Sequence, residues 1–201
     1  MRIKEAHPIL QSQTGNGPAT SIREAAGPLH TIFANKPLLP LLPAMNPEKL
    51  TIRSLSELEQ HVGQELGVSE YHVITQAQIN SFAAATLDHQ WIHVDAERAA
   101  EESPFKATIA HGYLTVSLLP YLWQQIITIE NLKMQVNYEI ESLRFNQAVT
   151  VNSAVRLRAT LQSVKNLRGI AKARLDVTLE IQDQPKPAYT GLITFLYHFA
   201  S

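Results

Sequence analysis

The sequence predicts an α+β fold in which a largely antiparallel β-sheet packs against one helix that is apolar on nearly every side. Two changes of pattern carry that expectation. From Tyr113 to about Ile127, the residues Leu114, Val116, Leu118, Leu119, Leu122, Trp123 and Ile126 fall all round a helix, which marks it as buried on most sides. Further on the period drops to two: Val155, Leu157, Ala159 and Leu161 alternate with Arg156, Arg158 and Thr160, and Leu175, Val177, Leu179 and Ile181 alternate with Asp176, Thr178 and Glu180. Strands with one wet face need apolar filling behind the other, and the helix supplies it.

Residues 1–48 read as an extension ahead of a domain covering 49–201, because Gly15, Gly17, Pro18, Gly27, Pro28, Pro37, Pro40, Pro43 and Pro47 interrupt every period before it is established. Ser54 followed by Glu57 is a capping box, with Leu55, Leu58 and Val62 on one face of a short helix that ends near Gly63 or Gly67. Tyr71 to Ile74 reads as a brief strand. Thr75 then caps a helix through Ala85, with Ile79, Phe82 and Ala83 inward, and that helix delivers the chain to a loop at Asp88. A further helix from Ala96 to Glu102 stops at Ser103 because the residue before Pro104 is pushed out of helical geometry. Pro120 is expected to kink the apolar helix or end its first part. Met134 to Phe145 and Ala188 to Tyr197 complete the strands, with turns at 165–169 and 183–187.

Composition narrows the function classes. With 17 basic and 18 acidic residues the formal charge is -1, so the overall electrostatics favour neither nucleic acid nor an anionic membrane. The absence of cysteine excludes disulfides, thiolate ligands and a cysteine nucleophile. No apolar run approaches the roughly 20 residues that span a bilayer. A cytoplasmic protein without membrane or nucleic-acid partners is expected.

The residues able to do chemistry cluster in Asp88-His89-Gln90-Trp91-Ile92-His93. A carboxylate and an imidazole five positions apart can converge on one water, but by spacing alone a solvated loop explains them equally well. His89, His93, Asp88, Asp95 and His111 also suggest a metal site, although their spacings match no zinc pattern and no metal is expected.

Thr86-Leu87-Asp88-His89-Gln90-Trp91-Ile92-His93-Val94-Asp95, followed by Ile109-Ala110-His111-Gly112-Tyr113-Leu114, resembles the MaoC-type dehydratases, the (R)-specific enoyl-CoA hydratases, and most closely their nodulation-protein-N-like branch. The resemblance spans roughly residues 50–201, and Ala99 fits its pattern. It implies a hotdog fold, a long central helix wrapped by a curved antiparallel sheet, assembled as a homodimer. It implies interconversion of trans-2-enoyl-CoA and (R)-3-hydroxyacyl-CoA, or the corresponding acyl-carrier thioesters, with no cofactor. By the same resemblance Asp88 is the general base, His93 shares activation of the water, and the Gly112 N–H binds the thioester oxygen. Gln90 orients water or the carboxylate, His111 shapes the loop, and Trp91 and Tyr113 are candidates for the acyl pocket or for ordinary packing.

The chain has Leu87 where the hydratase pattern has glycine, Gln90-Trp91 where it has Asn-Pro, and Pro120 where some hydratases have a serine. Leucine at position 87 implies a loop without positive φ. Arg156, Arg158, Lys172 and Arg174 read either as a basic face for coenzyme A phosphates or as solvated sheet surface. The alternatives to a hydratase are an acyl-CoA thioesterase on the same fold and a non-catalytic protein that binds acyl thioesters or a partner.

Overall fold

The computed structural model describes residues 49–200, and the extension read over 1–48 lies outside them. After β1 (Leu50–Ile52), Ser54 caps α1 (Leu55–Glu59) by accepting the Glu57 N–H at 3.2 Å. The Glu57 carboxylate reaches back to the N–H of Arg53 at 2.7 Å, one residue beyond its usual partner in a capping box. The helix is shorter than its pattern suggested, and Val62, expected inward, is 42% exposed. Gly63 donates to the Leu161 carbonyl at 2.7 Å, so the chain leaves for the sheet before a second turn can bury Val62.

Two short strands follow, β2 (Glu65–Val68) and β3 (His72–Val73). Thr75 caps α2 (Gln76–Thr86), and Ile79 and Ala83 are fully buried on its inner face. A single turn, α3 (Trp91–Val94), precedes α4 (Ala96–Glu102), which is capped by the Asp95 carboxylate and stops at Ser103 as Pro104 requires. The apolar helix is divided into α5 (Gly112–Ser117) and α6 (Leu119–Ile126), with Pro120 in the first turn of the second segment. Proline has no N–H to continue the ladder, but Leu118 between them keeps helical angles and accepts the Leu122 N–H at 3.0 Å, so a single residue separates the segments.

After β4 (Ile127–Ile129), which pairs in parallel with β1, come four long strands: β5 (Leu132–Phe145), β6 (Ala154–Leu167), β7 (Ile170–Ile181) and β8 (Tyr189–Phe199). The sheet order is β2-β6-β7-β8-β5 with antiparallel neighbours, and β3 also pairs with β6. Arg168 and Gly169 join β6 to β7 with φ of 55° and 91°, the two positive values that a tight type I′ hairpin turn needs. Inward rows from β6, β7 and β8, including Leu157, Leu175, Leu179 and Phe195, form one buried cluster with Leu122, Trp123 and Ile126 of α6. Trp123 keeps its polar edge satisfied there by donating to the Tyr197 hydroxyl at 2.9 Å. This sheet wrapped on a central helix is the hotdog fold.

The outer face of the sheet is a ladder of pairs rather than a basic patch. Arg156 and Arg158 both bond Glu180, at 2.7 and 2.8 Å, and Arg158 also reaches Glu65 at 2.8 Å. Lys172 pairs with Glu139 at 3.1 Å and Arg174 with Glu141. All four cations are neutralised across strands, so the basic-face reading gives way to solvated sheet surface. Each such pair contributes at most about 1 kcal/mol. Among the described residues no helix is long and apolar enough to cross a membrane.

Candidate active site

The site begins where α2 ends. Leu87 has φ 62° and ψ 18°, the left-handed conformation, and its side chain is 80% exposed. The expectation of a loop without positive φ is therefore wrong. A helix that must stop and turn sharply needs a left-handed residue just past its end, and that demand outweighs the preference of leucine. An L-residue is strained there by about 1–2 kcal/mol, while glycine loses about 0.5–1 kcal/mol more in chain entropy. Leu87→Gly is accordingly expected to raise stability by up to about 1 kcal/mol, measured by urea unfolding. A clear loss would mean that this side chain packs against something despite its exposure.

Asp88 is exposed and held by its neighbours: its Oδ1 accepts the Gln90 N–H at 3.4 Å, and its carbonyl accepts from His111 Nε2 at 3.0 Å. Gln90 is the N-cap residue of α3, and that single turn, where a loop was expected, rotates His93 inward to 7% exposure. His93 Nδ1 lies 2.7 Å from the Ile109 carbonyl. A carbonyl only accepts, so Nδ1 carries the proton and the neutral ring keeps its lone pair on Nε2. His111, 3% exposed, stacks on His93 with centroids 3.8 Å apart and planes at 24°, and its Nδ1 has no partner among the described residues. A carboxylate oxygen of Asp88 and ring nitrogens of His93 and His111 lie within 4.8 Å of one another. Rings stacked face to face cannot both aim an in-plane lone pair at one ion about 2.1 Å away, so this trio suits proton chemistry better than metal binding.

His93 is also tuned. Burial lowers its pKa from 6.5, with the adjacent His111 acting in the same direction, while the Ile109 carbonyl and the Asp88 charge oppose them. As pH falls through 6.5, an unfolded His93 takes up a proton that the folded one resists. Its contribution to stability therefore declines from that pH down to the lower folded pKa. Titration of the His93 ring by NMR is expected to give a midpoint below 6.5, with the ring neutral at pH 7. A midpoint above that value would mean that the Ile109 carbonyl and the Asp88 charge together outweigh burial.

His93, Gly112, Tyr113, Phe145 and Val149 line a cleft of about 390 Å³. Gly112 opens α5 at its wall, where first-turn N–H groups have no carbonyl within the helix to bond. The Phe145 ring lies so close that a Cβ on Gly112 would stand 2.9 Å from two of its carbons. Tyr113, 75% exposed, reaches the rim and meets Phe145 edge to face. Trp91 is not among the cleft residues and packs under the Arg98 guanidinium at 4.4 Å. A larger cleft, about 510 Å³, lies further along the central helix between Val116, Pro120, Ile140 and Phe195, but brings no histidine to its wall. The sequence did not single out the residues behind His93: Gln76, Thr108 and the Ile109 carbonyl.

Residues 57–181 match the MaoC-like domain. The 3-hydroxyacyl-thioester dehydratase Z of Mycobacterium tuberculosis is 43% identical over 139 residues, 69% of this chain and 91% of that protein. Nodulation protein N of Rhizobium meliloti is 44% identical over 140 residues, covering 69% and 87%. Among solved structures, an (R)-hydratase from A. caviae involved in PHA biosynthesis superposes with a TM-score of 0.55 at 26% identity, over 67% of this chain and 94% of that one. With a family match across most of the hotdog domain and relatives this similar over most of their own length, the chain belongs to the MaoC-like family.

Proposed function

We propose that the chain is a hydratase that adds water reversibly across the double bond of a trans-2-enoyl thioester, giving the (R)-3-hydroxyacyl thioester, with coenzyme A or an acyl carrier as the thiol. The observation that carries this reading is the meeting of the Asp88 carboxylate with a buried imidazole whose Nε2 is free to accept, beside a cleft walled by Gly112. Asp88 takes a proton from water as its oxygen bonds C3, and His93 Nε2 accepts the second O–H and aligns the attack. The electron pair of the double bond moves toward the thioester oxygen, where the Gly112 N–H stabilises the developing charge. The proton held by Asp88 is then returned to C2, so water is added whole and neither redox partner nor metal is required.

The homologous dehydratase of Mycobacterium tuberculosis, named for 3-hydroxyacyl thioesters, supports this substrate class. Strand β5 supports a homodimer: it is an outer strand of 14 residues whose Met134, Tyr138 and Ile140 are each more than half exposed, a surface suited to a second copy. The test is loss of the conjugated enoyl absorbance on incubation with trans-2-enoyl thioesters of graded chain length, with chiral analysis of the product. Light scattering on the same preparation reads the subunit number, and a monomer would remove the dimer from the proposal. Release of free thiol without hydration would replace the hydratase by a thioesterase. Binding without turnover would leave a passive acyl-thioester protein.

A further inference from the structure

Gln76, the first residue of α2, uses both ends of its amide. Its Nε2 donates to the His93 carbonyl and to Asn80 Oδ1, each at 2.8 Å, while its Oε1 accepts the Thr108 hydroxyl at 2.5 Å. Thr108 is 1% exposed and immediately precedes Ile109. The Ile109 carbonyl takes the His93 Nδ1–H, and the Ile109 N–H returns to the Ile92 carbonyl at 3.0 Å. Gln76 thus joins the two segments, 91–94 and 108–109, that together hold the imidazole.

The local physics calls for such a tie. A helix of one turn does not hold itself, because nucleation costs more than one turn returns. His93 lies in the last turn of α3, where carbonyls lack a helical donor. A primary amide of this length donates to that carbonyl from one end while accepting from a hydroxyl at the other; an ionised carboxylate of the same shape can only accept. Gln76 is not among the cleft residues, so contact with substrate does not account for it.

We infer that Gln76 is a positioning residue, which fixes the orientation and Nδ1–H tautomer of His93 by bridging the His93 carbonyl to Thr108. The inference rests on the reading of His93 as part of the water-activating pair for its kinetic consequence, but its effect on the ring can be read without turnover. In the full chain, Gln76→Ala and Gln76→Glu are expected to lower kcat by roughly 10- to 100-fold, the usual effect of removing an outer hydrogen-bond partner, with KM changed less than about twofold. The ring ¹⁵N resonances of His93 are expected to move from a fixed neutral Nδ1–H pattern toward exchange between tautomers. Thr108→Val should share both effects, and Thr108→Ser, which keeps the hydroxyl, should show neither. Unchanged ring resonances in folded Gln76→Ala protein, or a loss confined to KM, would overturn the inference. If that variant does not fold, the Thr108 pair decides by the same criteria. A wild-type chain without hydratase activity, whose His93 resonances still respond to Gln76→Ala, would reject the function and retain the positioning role.

Discussion

Asp88→Asn is expected to reduce enoyl-thioester hydration by about a hundred- to ten-thousandfold, the range spanned by a positioned general base, while leaving stability within about 0.5 kcal/mol. The stability half follows from exposure: Asp88 is solvated, and the amide oxygen of asparagine can still accept the Gln90 N–H. The rate half follows from chemistry, since an amide cannot take a proton from water at neutral pH. His93→Ala should lose a comparable factor but behave differently as a protein. It leaves a cavity beside the stacked His111 and strips the Ile109 carbonyl of its donor, a buried unpaired group that costs about 1–3 kcal/mol. The two variants separate mechanism from folding: progress curves with crotonyl-CoA read activity, and urea unfolding reads stability. Near wild-type turnover in folded Asp88→Asn would sink the proposed chemistry, whatever the result with His93.

The fold was largely legible because its main elements announce themselves locally. Thr75 caps its helix, Pro104 stops another, and the period of two in β6 and β7 puts Leu157, Leu161, Leu175 and Leu179 inside without ambiguity. The parallel pair of β1 and β4 was not legible, since three residues in each strand carry no period and the partners lie far apart in sequence. Nor was α3, a single turn whose N-cap residue makes no side-chain capping bond. Leu87 misled because propensity was read as a property of the residue, whereas the helix end sets the backbone and the residue bears the strain. The charged face stayed open between two readings for a related reason: the partners of Arg158 are 22 and 93 residues away, and only strand register reveals them. The site divides the same way. Asp88 and His93 are neighbours in the sequence, but what gives their pairing shape comes from elsewhere, from His111, 23 residues beyond Asp88, and from Gln76, 17 before His93. Such long-range hydrogen bonds leave no local signal in a single sequence.

Gly112→Ala tests the other half of the mechanism, and its outcome turns on which of two effects dominates. Gly112 has no positive φ and opens a helix, so alanine is permitted by the backbone and favoured by helix propensity, by up to about 1 kcal/mol. Against this, the new methyl would stand 2.9 Å from the Phe145 ring, and overpacking of this kind costs about 1–3 kcal/mol. Phe145 is 47% exposed and can move outward, which places the net destabilisation at the low end of that range. The rate should suffer far more, because the methyl itself obstructs the approach of the thioester oxygen to the Gly112 N–H, whether or not the ring moves. Loss of an oxyanion donor lowers kcat by about a hundred- to a thousandfold. Phe145→Ala in the same chain distinguishes the two effects. If the clash alone were responsible, the double variant would recover both stability and turnover. If the Gly112 N–H serves the transition state, stability returns and turnover does not. Full turnover in the Gly112→Ala single variant would remove Gly112 from the mechanism and leave the water-activating pair to be explained without it.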